Sequence, residues 1–307
     1  MQVYPLKMIP IYKQYIWGGD NLHALYGKNT PVGGAAESWE ISCNENESSA
    51  VANGCYQGMS LYTLSAQTRG SLYNTSGKNG ESFPLLFKLL DAQNDLSVQV
   101  HPDDFYQCGV TGKTEMWYIL HADKGAQIVY GFKEPVARAE LANAIFSGTI
   151  TTLLNYVDVH AGDAFLIPAG TLHAAGKGMV IAELQQNSNA TYRVFDYNRR
   201  DKSGTMRELH IEQALDVTIR ESSRGREKCG AHISCEFFEF NEETISSTRC
   251  FETKHAMFFL FFAEGFGSVS CGGISENFKK GDSFVIPAAA PCFEISGCCR
   301  VLVMKQT

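Results

Sequence analysis

Leu96-Ser97-Val98-Gln99-Val100-His101-Pro102-Asp103-Asp104 is an apolar run in which polar residues fall at every second position. Side chains of a β-strand alternate between its two faces, so Ser97, Gln99 and His101 project from one face and Val98 and Val100 from the other. Glu115 opens the next apolar run, Met116-Trp117-Tyr118-Ile119-Leu120, after a loop long enough to reverse the chain. Further on, Gly162-Asp163-Ala164-Phe165-Leu166-Ile167-Pro168 reads as a turn, a short apolar strand and the proline that ends it, and His173 follows. Strand, loop, strand and turn thus deliver Gln99, His101, Glu115 and His173 as a metal-ligand set in a predicted β-barrel.

The chemistry of that set is specific. Two neutral imidazoles, one carboxylate and one amide oxygen, with no thiolate, suit zinc, iron, manganese or cobalt better than copper(I) or calcium. Structural zinc is more often closed by cysteines, so these residues read as a catalytic site, with zinc the expected ion at one per chain.

Composition bounds the partners. A chain of 307 residues exceeds one ordinary core, so two domains or a double-layered β architecture are expected. With 19 Phe and 13 Tyr it can bury sizeable cores. The net charge of -7 argues against nucleic acid or an anionic membrane, so an anionic substrate must meet a local cationic pocket. The first residues show no apolar leader, and the longest apolar run, Ala256 to Ala263, is too short to span a bilayer. The expected location is the cytoplasm, as a monomer or small homo-oligomer. The 10 cysteines are then expected as reduced, small hydrophobes, and adjacent Cys298 and Cys299 fall on opposite strand faces.

Helical periodicity appears at Asn21 to Leu25, Met59 to Gln67, Pro135 to Phe146 and Leu209 to Val217, within an otherwise strand-rich pattern. The charged stretch from Arg220 to Lys228 is the best linker candidate and divides the chain into 1–220 and 221–307. A repeat supports two copies of one β unit: Gly162-Asp163-Ala164-Phe165-Leu166-Ile167-Pro168-Ala169 recurs as Gly281-Asp282-Ser283-Phe284-Val285-Ile286-Pro287-Ala288. Extending that register puts Cys292 where the first copy has His173. Anchoring instead on Gly125 and Gly265 puts His255 where it has Glu115. The second copy lacks the upstream ligand pair, and is expected to be structural and free of metal.

The run from Leu96 to Asp104, Gly112-Lys113-Thr114-Glu115, Ile167 to Ala174, and Gln185-Gln186-Asn187-Ser188 with Thr191-Tyr192-Arg193-Val194 together resemble the type I mannose-6-phosphate isomerases in their short bacterial form. The resemblance runs from Trp17-Gly18-Gly19 to the Gly281 repeat. It implies a double cupin, two jelly-roll barrels with a few short helices, an all-β dominated fold. It also implies zinc held at Gln99, His101, Glu115 and His173. The chain departs from the family in Ala36-Glu37, where Gly-Glu is common, and in Asn189 and Tyr197-Asn198, where Asp and Trp-Asp are usual.

The implied reaction interconverts mannose 6-phosphate and fructose 6-phosphate, moving a proton between C2 and C1 through an enediol. Arg193 offers a planar fork for a phosphate or an oxyanion, and Lys113, two before Glu115, offers a cation or a proton carrier. Lys88, the only charge in Phe83-Pro84-Leu85-Leu86-Phe87-Lys88-Leu89-Leu90, and Ser97 are candidates for binding the substrate. The general base is left open among Lys113, Arg193 and a metal-held water. Two other classes stay open: a cupin metal-dependent oxygenase, and a non-catalytic sugar-phosphate-binding cupin.

Overall fold

A computed structural model describes residues 1–74, 82–107, 109–200, 204–225 and 228–307. Strands dominate the secondary structure, as the alternating patterns require. The chain divides into two compact units that interleave in sequence: residues 1–13, 20–89 and 231–307 form one, and 14–19 with 90–230 form the other. A division at 220/221 follows the chain, whereas these units follow contact, and the N-terminal strands join the C-terminal ones.

In the first unit Cys292–Gln306 lies between Phe238–Ile245 and Phe258–Cys271, and the sheet continues through Ser283–Ile286 to Leu6–Ile9 and Ala50–Val51. Leu6 pairs with Val285, which stitches the first strand of the chain to the repeat near its end. Phe258, Leu260, Phe262, Phe284, Phe293 and Val301 fill the core of this unit. The aromatic run that would be an aggregation hazard if exposed is therefore buried.

In the second unit a five-stranded sheet runs in the order Leu154–Asp158, Gln127–Phe132, His173–Ala175, Val98–Val100, Tyr192–Phe195. Its alternation is clean. Val98, Val100, Val129, Ala174 and Val194 point to one face, where Leu141, Ala144, Ile145, Ala214 and Leu215 of two helices cover them. The residues between them face the other way. Beside this sheet, Glu115–Ala122 is flanked by Ala164–Ile167 and Met179–Gln186. Every residue of Met179–Gln186 is buried, so its sequence reads as a continuous run rather than an alternation.

The helices form at Asn21–Tyr26, Leu61–Leu72, Arg138–Phe146 and Ile211–Val217. Ser60 caps the second of these, its hydroxyl accepting from the Thr63 amide at 3.1 Å. Three helices start two or three residues later than the periodicity predicts, and in the last two a backbone contact accounts for it. The Val136 amide donates to the Arg220 carbonyl, and the His210 amide donates to that of Arg193, each at 2.8 Å, holding the preceding backbone outside the helix.

The expected linker is not free. Ser222 Oγ donates to the Lys133 carbonyl at 2.8 Å, Arg224 pairs with Glu134 at 3.0 Å, and the Cys229 amide donates to the Ala164 carbonyl at 2.8 Å. Arg226 and Glu227 of the linker lie outside the described residues. Residues 220–225 are a strap on the second unit, crossing so close to Gly131 that a Cβ there would stand 2.0 Å from Ser223 Oγ.

The repeat is real in three dimensions. The Gly162 amide donates to the Ile119 carbonyl and the Gly281 amide to the Phe262 carbonyl, both glycines having positive φ. Ile167 faces Glu115 and Ile286 faces Phe258. The counterpart of Glu115 is therefore Phe258 and not His255, which sits exposed in a turn at φ 62°. Cys292 is also exposed, so it has no buried ligand-like role. Among the described residues the second copy offers no group of three metal donors.

Candidate metal centre

Pairing register, not sequence proximity, assembles the site. His173 lies directly across from Gln99, Gln99 from Arg193 on its other side, and Tyr130 from His173. Paired residues of antiparallel strands share a face, so Tyr130, His173, Gln99 and Arg193 form one row across four strands. His101 follows the strand Val98–Val100 and keeps the same facing as Gln99. Glu115 enters from the neighbouring strand group, at the head of Glu115–Ala122.

His101, Glu115 and His173 converge with one donor atom each, all within 4.8 Å of one another, and all three are buried. His173 Nε2 is 3.1 Å from Glu115 Oε1, and His101 Nε2 is 3.4 Å from Glu115 Oε2. Each imidazole is held by its other nitrogen: His101 Nδ1 lies 2.8 Å from the Ala190 carbonyl oxygen, and His173 Nδ1 lies 2.9 Å from that of Thr171. A carbonyl can only accept, so Nδ1 carries the proton and Nε2 presents its lone pair inward. Trp117 packs edge-on against the His173 ring at 5.3 Å and donates its indole N–H to Glu183 at 2.9 Å.

The donor set fits a divalent metal on its own chemistry. Neither oxygen of buried Glu115 accepts a well-aligned hydrogen bond, although Lys113 Nζ stands 2.7 Å from Oε2. An uncompensated buried carboxylate is costly, and a cation facing it and two imidazole lone pairs removes that cost. Lys113 also approaches His101 Nε2 at 3.0 Å, so its ammonium adds positive charge beside the three donors. Burial would raise the Glu115 pKa; Lys113, His101 and His173 outweigh it and hold the carboxyl well below its usual range. Burial, aided by Lys113 and opposed by Glu115, pushes the His101 imidazole down to about 3, keeping it neutral as a ligand must be.

Gln99 is half-buried, with its amide nitrogen 3.4 Å from His173 Nε2. A half-turn of the amide places its oxygen there instead, which is the orientation a metal would select. Arg193 Nε donates to Ser97 Oγ at 3.1 Å, and its Nη1 donates to the Glu208 carbonyl at 2.9 Å. The buried hydroxyl of Ser97 thus holds Arg193. Lys88 belongs to the first unit, buried with its ammonium 3.9 Å from Glu37 and 4.8 Å from the Trp39 ring centroid.

Some contributors have no sequence signal. The carbonyls of Ala190 and Thr171 orient the ligands, yet any residue supplies a carbonyl. Tyr130 joins the row only through pairing. Gln185, which pairs with Glu115, is fully buried, and its oxygen finds no donor although its amide nitrogen reaches the Ser188 carbonyl at 2.7 Å. Its alternation with Glu183 on one strand face was the available hint. His160 and His121 take no part in the cluster: His160 is 81% exposed at its side chain, and His121 meets Asp123 at 3.2 Å.

Comparison with known proteins covers nearly the whole chain. Residues 5–127 match the catalytic-domain model of type I phosphomannose isomerase, and residues 228–306 match the mannose-6-phosphate isomerase cupin domain. The mannose-6-phosphate isomerase ManA of Bacillus subtilis (strain 168) is 35% identical over 99% of this chain and 99% of its own. A mannose-6-phosphate isomerase of Streptococcus mutans is 38% identical over 95% of each. The crystal structure of a Bacillus subtilis mannose 6-phosphate isomerase superposes with a TM-score of 0.88 at 36% identity, covering 98% of this chain and 99% of that one. A putative mannosephosphate isomerase from Archaeoglobus fulgidus shares the fold at 22% identity, with a TM-score of 0.82 over 99% of this chain and 98% of that one. The fold, the buried His/Glu/His cluster and full-length relatives at more than a third identity converge, and the chain belongs to the type I mannose-6-phosphate isomerase family.

Proposed function

We propose that this chain interconverts mannose 6-phosphate and fructose 6-phosphate, using zinc held by Gln99, His101, Glu115 and His173. The observation that carries the reading is the buried carboxylate of Glu115, without an aligned hydrogen bond and faced by two imidazoles whose tautomers are fixed inward. When bound, the ion supplies Lewis acidity that polarises the sugar carbonyl and stabilises negative charge on its oxygen. The catalytic set falls within residues 1–220, and 221–307 contributes none of it.

The chain's own residues do the rest. Arg193, on the row beside Gln99, presents a guanidinium steadied by Ser97 and the Glu208 carbonyl. Such a pre-oriented fork is suited to an enediol oxygen or a phosphate. Lys113 Nζ sits at the ligand cluster, where it carries the proton between C2 and C1 or steadies the charge while Arg193 does so. Ser97, acting through Arg193, and, separately, Lys88 are each proposed to bind the substrate. Lys88→Ala should raise KM with a smaller change in kcat; an unchanged KM removes it from the set.

Metal analysis joined to a hexose 6-phosphate isomerase assay tests the whole reading. One equivalent of zinc per chain and conversion of mannose 6-phosphate are expected. Turnover in deuterated water should place deuterium at carbon. Tight sugar-phosphate binding without turnover would replace the enzyme by a binding module, and dependence on molecular oxygen would replace it by an oxygenase.

A further inference from the structure

Outside the metal centre, two thiols meet on the outer face of the first unit. Strand Thr248–Glu252 pairs with the start of Cys292–Gln306 in the register Cys250 to Glu294, Phe251 to Phe293 and Glu252 to Cys292. Phe251 and Phe293 stack at 4.8 Å toward the core, which turns Cys250 and Cys292 to the opposite face, diagonal to one another. Both are free and exposed, on adjacent strands and on the same face. Cys292 stands where the repeat carries the metal ligand His173 in its other copy.

We propose that Cys250 and Cys292 form a reversible intramolecular disulfide when the protein meets a peroxide, fastening strand Thr248–Glu252 to Cys292–Gln306. One thiolate attacks the peroxide, breaking its O–O bond; hydroxide leaves, takes a proton as water, and the sulfur becomes a sulfenic acid. The second thiolate attacks that sulfur, the S–O bond breaks, a second water departs and the S–S bond forms. Two thiols lose two electrons and one peroxide becomes two waters. The buried Cys43, Cys271 and Cys299 are shielded from the same oxidant. Desolvation first, then Cys292 and Glu294, hold the Cys250 thiol above its ordinary range, so the reaction should quicken as pH rises.

The test treats the full chain with hydrogen peroxide, then maps peptides without reduction. A peptide pair joining Cys250 to Cys292 is expected, with a loss of about 2 Da reversed by dithiothreitol. Cys250→Ser and Cys292→Ser should each abolish that linked pair, while Cys298→Ser, an exposed control, leaves it intact. Sulfinic acid at either thiol without the linked pair overturns the proposal, as does the same loss of about 2 Da in Cys250→Ser.

Discussion

His101 Nδ1 stands 2.8 Å from the Ala190 carbonyl oxygen, and this one contact decides which ring nitrogen is left for a metal. The same arrangement at His173, with Thr171, gives the pair its common orientation. His101→Ala and His173→Ala should each lower metal affinity by more than the roughly 10–100-fold typical of losing a supporting partner, with a folded chain retained. Elemental analysis beside circular dichroism checks this; full metal content in both variants would sink the assignment.

Glu115→Gln keeps the shape of the side chain and removes its charge. Because the carboxylate is fully buried among His101, His173 and Lys113, the variant should lose metal and most turnover while its thermal stability changes little or rises. A stable variant that still binds metal normally would move the ligand role away from this residue.

Arg193 touches no member of the His/Glu/His cluster in the register except through its neighbour Gln99. Arg193→Ala should therefore retain metal and lower kcat by roughly 100-fold or more, the scale of losing one pre-oriented donor. Ser97→Ala should give a smaller fall of the same kind, since it only frees the guanidinium. A change confined to KM in both would make the pair a phosphate clamp.

Removing metal with a chelator should abolish turnover and re-addition of zinc should restore it, with or without air. An oxygen requirement in the restored enzyme, read by running the assay anaerobically, would support the oxygenase instead.

Asp196 accepts from Arg207 Nε at 2.8 Å and pairs with Arg199. Burial alone would raise its pKa, but the two arginines hold it below the ordinary 3.8. The sign follows: the pair's stabilisation is complete above the unfolded value and is lost as pH falls through the lower folded value. Asp196→Asn should cost about 1 kcal/mol near neutrality, allowing for partial exposure, and the difference should vanish in strong acid. Denaturant melts at several pH values measure it.

The His/Glu/His cluster was legible because a strand's period of two puts His101 on the face it shares with Gln99 and because imidazole and carboxylate have few reasons to share a site. The repeat was legible too, since its turn demands Gly162 and Gly281. What stayed hidden was register. Anchoring on Gly125 and Gly265 aligned His255 with Glu115, whereas hydrogen bonding makes Phe258 the counterpart, because chain length between strands differs in the two copies. The stretch from Arg220 to Lys228 looked like a linker from its charge, yet Arg220, Ser222 and Ser223 are tied down by partners far away in sequence. Gly131→Ala should report that tie, destabilising the second unit by roughly 1–3 kcal/mol, since its φ of 62° and the overlying Ser223 both disfavour a side chain.

The row Tyr130, His173, Gln99, Arg193 is built on strands whose other face is packed with Val129, Ala174, Val98, Val100 and Val194. The oily side acts as a ruler for the chemical side. Sliding Val98–Val100 by one residue would swap Gln99 for a valine on the metal face and drive an amide into the helices. A substitution at Ala174, on the opposite face from the His/Glu/His cluster, is thus a substitution in the spacing of that cluster.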